Sequence, residues 1–369
     1  MRFYIITGER SGDLHAANLI QAISRLLPEA KFRGTGGEYM MKAGVEIFKH
    51  YKEISFMGIW EVLKNLYSIS RIFRECKDDI MRYKPDVILL VDFSGFNMHM
   101  AKQLKKKGYT IHYYIAPKVW AWNTRRVRKI KKYVDHLYCI LPFETDFFRA
   151  NGCNAHYVGN PVMDAICTFS PNPDFKTLYH LQENQKNIAI LPGSRIQEVN
   201  AMLRTMISVC TAFPQYRFLI AAVSNLPKEV YSAALPSNAT YITDSAYDIL
   251  HVSDAAIVTS GTASLETALM NVPHVVCYRT SHLTYFLAKL FIKVPYISLV
   301  NLIAGKKVVN ELIQKDFSEH NIKKELHNIL FDVSYRERML QGYEEVRRKI
   351  GNITCSEKTA QLIVSNAKK

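Results

Sequence analysis

A chain of 369 residues, 48% hydrophobic and 22% charged, has the length of two ordinary domains and the composition of a globular protein, which excludes a disordered or fibrous class. Its formal net charge of +15 calls for an anionic partner, and nucleic acid, phosphorylated metabolites and acidic lipid headgroups all qualify. The seven cysteines are scattered, odd in number and never spaced C-x-x-C, which argues against a disulfide framework or a zinc site and for a reducing compartment.

Arg2 to Ile6 reads as a short β-branched and aromatic strand, so no cleavable leader is expected ahead of it. The turn Gly8 to Asp13 follows, and a helical spacing begins after it. Two glycines there let backbone N–H groups approach a ligand at the positive end of the helix, which makes Gly8, Ser11, Gly12 and Asp13 candidate substrate contacts. Further apolar runs lie at Lys31 to Gly34, Asp86 to Asp92, Tyr109 to Ile115, His136 to Leu141 and His156 to Gly159. Runs of this kind, alternating with helical spacing, predict a parallel sheet covered on both faces.

Asp92 ends one of these runs and precedes Phe93-Ser94-Gly95-Phe96-Asn97. At the rim of a sheet its carboxylate is either a proton acceptor for something bound there or the N-cap of the next helix. The stretch "NTRRVRKIKKYVDH" from Asn123 puts Val127, Ile130 and Val134 inward and six basic residues outward, a solvated helix face by composition. Trp120 and Trp122 just before it suit a core or a membrane interface equally.

After Gly159-Asn160-Pro161 the polar stretch 168–186, with two prolines, suits a domain boundary. Strand-like runs then restart at Asn187 to Leu191, Tyr216 to Val223, Thr240 to Thr243, Ala255 to Thr259 and His274 to Tyr278. The fold class expected is therefore α/β, with two doubly wound parallel-sheet domains at 1–167 and 168–345 and a final helix, 346–369, packing back on the first domain. No spanning helix is expected: the most apolar stretch, Leu283 to Leu287, is broken by Lys289 and Lys293 well before the ~20 residues a bilayer needs.

Open parallel sheets bind ligands outside the carboxyl ends of their strands. In the second half, Gly193, Ser194 and Arg195 bring a glycine, a hydroxyl and a guanidinium to a helix start, a phosphate-binding set. Ser260-Gly261-Thr262-Ala263-Ser264 crowd small and hydroxylated residues onto another strand-to-helix turn, and Glu266 beyond them suits a ribose hydroxyl pair or a first-turn acid stabilised by the dipole. "GTGGEYM" at Gly34 lacks the third spaced glycine of a dinucleotide fingerprint, and no Walker sequence occurs. Neither is there a D-x-D, so backbone amides and Arg195 are expected to carry the charge of any leaving diphosphate, with no metal and no cofactor.

Eight strings, "GERSGD" from Gly8, "FMGIWEVL" from Phe56, "VDFSGFN" from Val91, "IHYYIAPKVWAW" from Ile111, "LPFE" from Leu141, "LPGSRIQEV" from Leu191, "SGTASLE" from Ser260 and "SLVNLIAG" from Ser298, closely resemble those of the lipid-A-disaccharide synthases, in the same order over nearly the whole chain. The resemblance implies a GT-B type fold with two Rossmann-like domains and an inverting, metal-independent glycosyltransferase. It would move diacylglucosamine from UDP-diacylglucosamine onto the primary hydroxyl of diacylglucosamine 1-phosphate and release UDP. The same resemblance assigns Asp92 as general base, Arg195 as the phosphate contact and Asn301 as a further catalytic residue. It places Glu266 on the ribose side and adds Gln314 to the substrate contacts Gly193, Ser194, Gly261, Thr262 and Ala263. It also implies a cytoplasmic enzyme held peripherally at the cytoplasmic face of the inner membrane, allows a homodimer and gives nucleic acid no part. UDP is expected at the strand ends of the second half, facing Asp92 of the first.

Two residues depart from the family's pattern: Arg10 stands where some members have a small residue, and Asn160 where many carry histidine. His15 is the second candidate for the base. Ile59, Val62, Leu63, Leu66, Ile69 and Phe73 form one helical stripe, which is either core or, for acylated substrates, a membrane-docking surface. The rival assignments are another UDP-sugar enzyme of the same fold, such as a UDP-GlcNAc epimerase or a peptidoglycan-precursor transferase, and a basic nucleic-acid-binding protein, for which no recognisable module is present.

Overall fold

The computed structural model describes residues 1–54, 66–231, 235–281, 285, 286, 289 and 294–367. The chain divides into two compact units, Met1–Asp164 with Asn352–Lys369, and Ala165–Gly351.

The first unit holds β1 (Arg2–Ile6), β2 (Lys31–Gly36), β3 (Glu46–His50), β4 (Val87–Val91), β5 (Ile111–Tyr114), β6 (His136–Cys139) and β7 (Ala155–Tyr157). They form one parallel sheet in the order β3-β2-β1-β4-β5-β6-β7. All five residues of β4, Val-Ile-Leu-Leu-Val, are buried, as a strand covered on both faces requires. Its helices include α1 (Arg10–Leu26), α2 (Glu38–Lys42), α3 (Ser94–Lys105), α4 (Val127–Tyr133) and α5 (Pro142–Ala150). β1 has β2 on one side and β4 on the other, so the chain leaves these neighbours in opposite directions. That divergence opens a crevice at their carboxyl ends, where Gly8, Glu9 and Asp92 lie.

The second unit repeats the plan with β8 (Asn187–Leu191), β9 (Arg217–Ala222), β10 (Ala239–Thr243), β11 (Ala255–Thr259), β12 (His274–Tyr278) and β13 (Glu311–Ile313), ordered β10-β9-β8-β11-β12-β13 and parallel throughout. Its switch point falls between β8 and β11, whose following turns carry Gly193–Arg195 and Ser260–Gly261. Helices α6 (Ile196–Ile207), α7 (Ala246–His251), α8 (Thr262–Leu269), α9 (Leu299–Ala304) and α10 (Val333–Ile350) belong to this unit. The α/β class with two parallel Rossmann-like sheets is thus the observed one.

The sequence pattern missed β3 and β13. The first is a half-buried edge strand, Glu-Ile-Phe-Lys-His, and the second only three residues long, so neither makes a continuous apolar run. The unit boundary lies at Gly351 (φ +72°), where α10 stops, and not inside that helix at 346. The last helix, α11 (Cys355–Ala367), lies on α1 and adds Cys355, Ala360, Ile363 and Val364 to the core of the first unit. Asp164 caps it, accepting from the backbone N–H of Cys355 (2.8 Å) and Ser356 (3.0 Å).

Val127, Ile130 and Val134 are buried and the basic residues around them exposed, as their spacing predicts. Trp120 belongs to the core, its indole N–H bonded to buried Glu144 (2.9 Å), while Trp122 is exposed with the Arg126 guanidinium 4.4 Å above its ring. Residues 59–65 and the side chains of Leu66 and Ile69 lie outside the described residues, and the stripe expected there with them. Phe73, at its end, packs edge-on against Phe96 (5.5 Å) and His99 (4.4 Å) of α3.

Candidate active site

At the rim of the first sheet, Asp92 directly follows β4, and both Asp92 (φ +48°) and Phe93 (φ +46°) take the left-handed conformation. Such residues cost about 1–3 kcal/mol each and persist only where the surroundings over-determine them. Here the Asp92 carbonyl accepts from the Tyr113 hydroxyl and from Asn97 Nδ2 (2.9 Å). Phe93, not Asp92, occupies the N-cap position of α3, and no side chain caps that helix. The N-cap reading of Asp92 therefore falls away, and its carboxylate sits half-buried at the crevice.

Burial pushes the Asp92 carboxyl up to about 6, and the Glu9 carboxylate, hydrogen-bonded to it, pushes in the same direction against the opposing charge of Lys118. Two carboxylates at hydrogen-bond distance hold a proton between them more readily than either alone. A group so tuned is ionised at neutral pH yet much more basic than an ordinary aspartate, which suits a general base. Glu9 was not singled out in the sequence, although it lies in the opening turn; its partner comes from a different strand end. Glu9→Gln removes the like charge, so the Asp92 pKa falls and the acidic limb of the kcat/KM profile moves to lower pH. Profiles of the two proteins measured from pH 4.5 to 8 test this, and coincident acidic limbs would uncouple Glu9 from Asp92.

The glycines of the opening turn have packing reasons. A Cβ on Gly8 would stand 2.3 Å from the Phe93 ring, so the bare backbone makes room for the residue that follows Asp92. Gly12 lies buried in the first turn of α1 against Thr7, and Ser11 is exposed. Asp13 is fully buried and accepts from the N–H groups of Gly37 (2.6 Å), Tyr39 (3.0 Å) and Met40 (3.3 Å), so its carboxylate holds the start of α2. His15 is pushed down to about 4 by burial, which makes it a poor proton acceptor at neutral pH.

In the second unit, Arg195 is the N-cap residue of α6, with extended backbone and an exposed side chain bonded to Glu198 (3.5 Å). Gly193 (φ +113°) turns the chain out of β8, and a Cβ there would meet Glu198 Oε2 at 2.6 Å. Ser194 is exposed beside it. Across the switch point, Gly261 begins α8, with Thr262 exposed and Ala263 half-buried. Ser260 Oγ donates to Ile297 O (3.1 Å) and Ser264 Oγ to Gly261 O (2.8 Å), so both hydroxyls brace the turn. One rim of one sheet thus carries the N-termini of α6 and α8 and a guanidinium, the ingredients of an anion site.

Glu266 lies on α8 behind that rim. Burial raises its carboxyl, and a hydrogen bond from the Tyr247 hydroxyl (3.1 Å) acts the other way. Tyr247 carried no signal in the sequence.

Two residues carried over from the resemblance are engaged elsewhere. Asn301 is buried, with Nδ2 donating to Val309 O (3.0 Å) and Glu311 Oε1 (2.8 Å) and Oδ1 accepting from Val308 N (2.7 Å) and Val309 N (2.9 Å). Every hydrogen-bonding position of the amide is engaged, so Asn301 clamps the connection from α9 to β13. Gln314 likewise bonds both backbone groups of Thr280, accepting from its N–H (2.8 Å) and donating to its carbonyl (3.0 Å), and so fixes the chain beyond β12.

Comparison with known proteins separates fold from family. Solved structures similar over 99% of both chains include the UDP-GlcNAc 2-epimerase from Neisseria meningitidis bound to UDP-GlcNAc (TM-score 0.59, 14% identity) and the glycotransferase of kitacinnamycin (TM-score 0.67, 12% identity). At such identities the likeness is one of fold, and an epimerase and a transferase share it equally. The family model for lipid-A-disaccharide synthetase matches residues 3–364. Similar relatives include the lipid-A-disaccharide synthases of Myxococcus xanthus, 36% identical over 98% of this chain and 97% of that one, and of Coxiella burnetii, 32% identical over 97% and 96%. The epimerase match, broad as it is, rests on fold at 14% identity, so neither the epimerase nor the nucleic-acid reading is favoured over the family match. With a strand-end carboxylate in one unit, an anion site at the switch point of the other and a match that spans nearly every residue, the chain belongs to the lipid-A-disaccharide synthetase family and is a UDP-sugar glycosyltransferase.

Proposed function

We propose that the protein transfers 2,3-diacylglucosamine from UDP to the primary hydroxyl of 2,3-diacylglucosamine 1-phosphate, with inversion at the anomeric carbon. The acceptor oxygen forms the new bond to that carbon as its proton passes to Asp92. The bond from the anomeric carbon to the diphosphate breaks, and its electron pair leaves with UDP. Inversion asks for one carboxylate across the ring from the leaving group, as in inverting glycosidases. No protonated acid is needed on the other side, because a diphosphate is a good leaving group. Arg195 and the N-termini of α6 and α8 meet its developing charge.

The observation that carries this reading is the raised carboxyl of Asp92 at the switch point of the first sheet, in a chain matched throughout to a sugar-transfer family. Attachment to the cytoplasmic face of the inner membrane is part of the same proposal. It is supported by the net charge of +15 and by the exposed Arg125, Arg126, Arg128, Lys129, Lys131 and Lys132, which suit acidic headgroups. Among the described residues no helix is long and apolar enough to cross a membrane.

The direct test is UDP release. It is expected from the diacylated donor only when diacylglucosamine 1-phosphate is supplied, with a disaccharide as the co-product. Turnover of a non-acylated donor, or of the diacylated donor without acceptor, would favour an epimerase or another transferase.

A further inference from the structure

Helix α7 starts at the rim, immediately after β10, and is braced from outside. The edge of Phe169 meets the Tyr247 ring (centroids 5.5 Å apart, planes at 69°), and Asp248 Oδ1 accepts from the backbone N–H of Asn172 (2.8 Å). The segment 169–172 therefore fixes both the ring of Tyr247 and the helix that carries it. So held, the Tyr247 hydroxyl donates to Oε1 of Glu266. Among the described residues no other donor reaches that carboxylate, which leaves Oε2 open to accept from a ligand.

We infer that Tyr247 is a positioning residue that sets the Glu266 carboxylate to accept a ribose hydroxyl, and so makes the donor site selective for ribonucleotides over 2′-deoxyribonucleotides. This rests on the reading in which Glu266 faces the ribose of UDP. A carboxylate anchored through one oxygen presents the other in a fixed direction, so a ligand does not have to immobilise it. The anchor also matters for charge. Burial pushes the Glu266 carboxyl up, the Tyr247 bond opposes that shift, and only the ionised form offers both oxygens as acceptors.

The test uses the full chain and calorimetric Kd values for UDP and 2′-deoxy-UDP with wild type, Tyr247→Phe and Glu266→Gln. Phenylalanine keeps the ring against Phe169 and removes only the hydroxyl. A hydrogen bond to a charged group gives the wild type a preference for UDP of roughly tenfold or more. Tyr247→Phe is expected to cut that preference to about threefold or less by weakening UDP binding while 2′-deoxy-UDP binding stays the same. An unchanged preference in Tyr247→Phe, or equal weakening of both nucleotides, overturns the positioning role. Should Glu266→Gln keep the wild-type preference, the ribose assignment of Glu266 itself fails; a preference lost in Glu266→Gln but kept in Tyr247→Phe removes Tyr247 alone.

Discussion

Asp92→Asn is expected to lower kcat by roughly 10²–10⁴-fold, the range associated with a general base, and to leave UDP affinity unchanged. Asparagine is the right replacement because residue 92 sits at φ +48°, a conformation asparagine tolerates and alanine does not. The variant thus keeps the turn, the shape and the carbonyl that Tyr113 and Asn97 hold, and loses the proton acceptor only. In the wild type the base must be ionised, so kcat/KM should fall as the pH drops through about 6, the value to which burial and Glu9 push the carboxyl. Steady-state rates with both substrates, together with UDP calorimetry, check the prediction. Retained turnover would remove Asp92 from the base role. His15 is no substitute, since burial holds it neutral with a pKa of about 4.

Asp13→Ala is expected to cost stability rather than chemistry. Three backbone N–H groups, of Gly37, Tyr39 and Met40, lose their acceptor, and two of these residues are buried. Leaving a buried donor unsatisfied costs about 1–3 kcal/mol, so the total loss is about 3–5 kcal/mol. At about 2–4 °C per kcal/mol for a unit of this size, the unfolding midpoint of the first unit should fall by roughly 10 °C. Asp13→Asn keeps one acceptor oxygen and should lose less. Differential scanning calorimetry of the three proteins decides the matter. An unchanged midpoint with lost activity would return Asp13 to the substrate.

What the sequence disclosed, and what it hid, follows from the physics of each signal. Buried parallel strands announce themselves because both faces must be apolar, so β4, β8 and β11 are plain, whereas the edge strands β3 and β13 need no such run. The turns after the strands are visible because a sharp exit calls for glycine or small hydroxyl residues, as at Gly193 and Ser260. The direction of a side chain leaves no such trace. Asn301, Gln314 and Asp13 are polar residues in the right motifs, and each turns out to bond backbone groups within its own unit. Pairings between distant strand ends are equally silent, which is why Glu9 beside Asp92 and Tyr247 beside Glu266 emerge only from the fold.

Because α11 completes the core under α1, the first unit is assembled from both ends of the polypeptide, with the second unit inserted between. During synthesis, the amino-terminal sheet must wait for α11 to leave the ribosome before the core that α1 and α11 share is complete. The inserted unit, encoded without interruption, is free to mature earlier. Premature termination ahead of Cys355 would therefore yield a chain whose second unit is finished and whose first unit stays a target for chaperones and proteases.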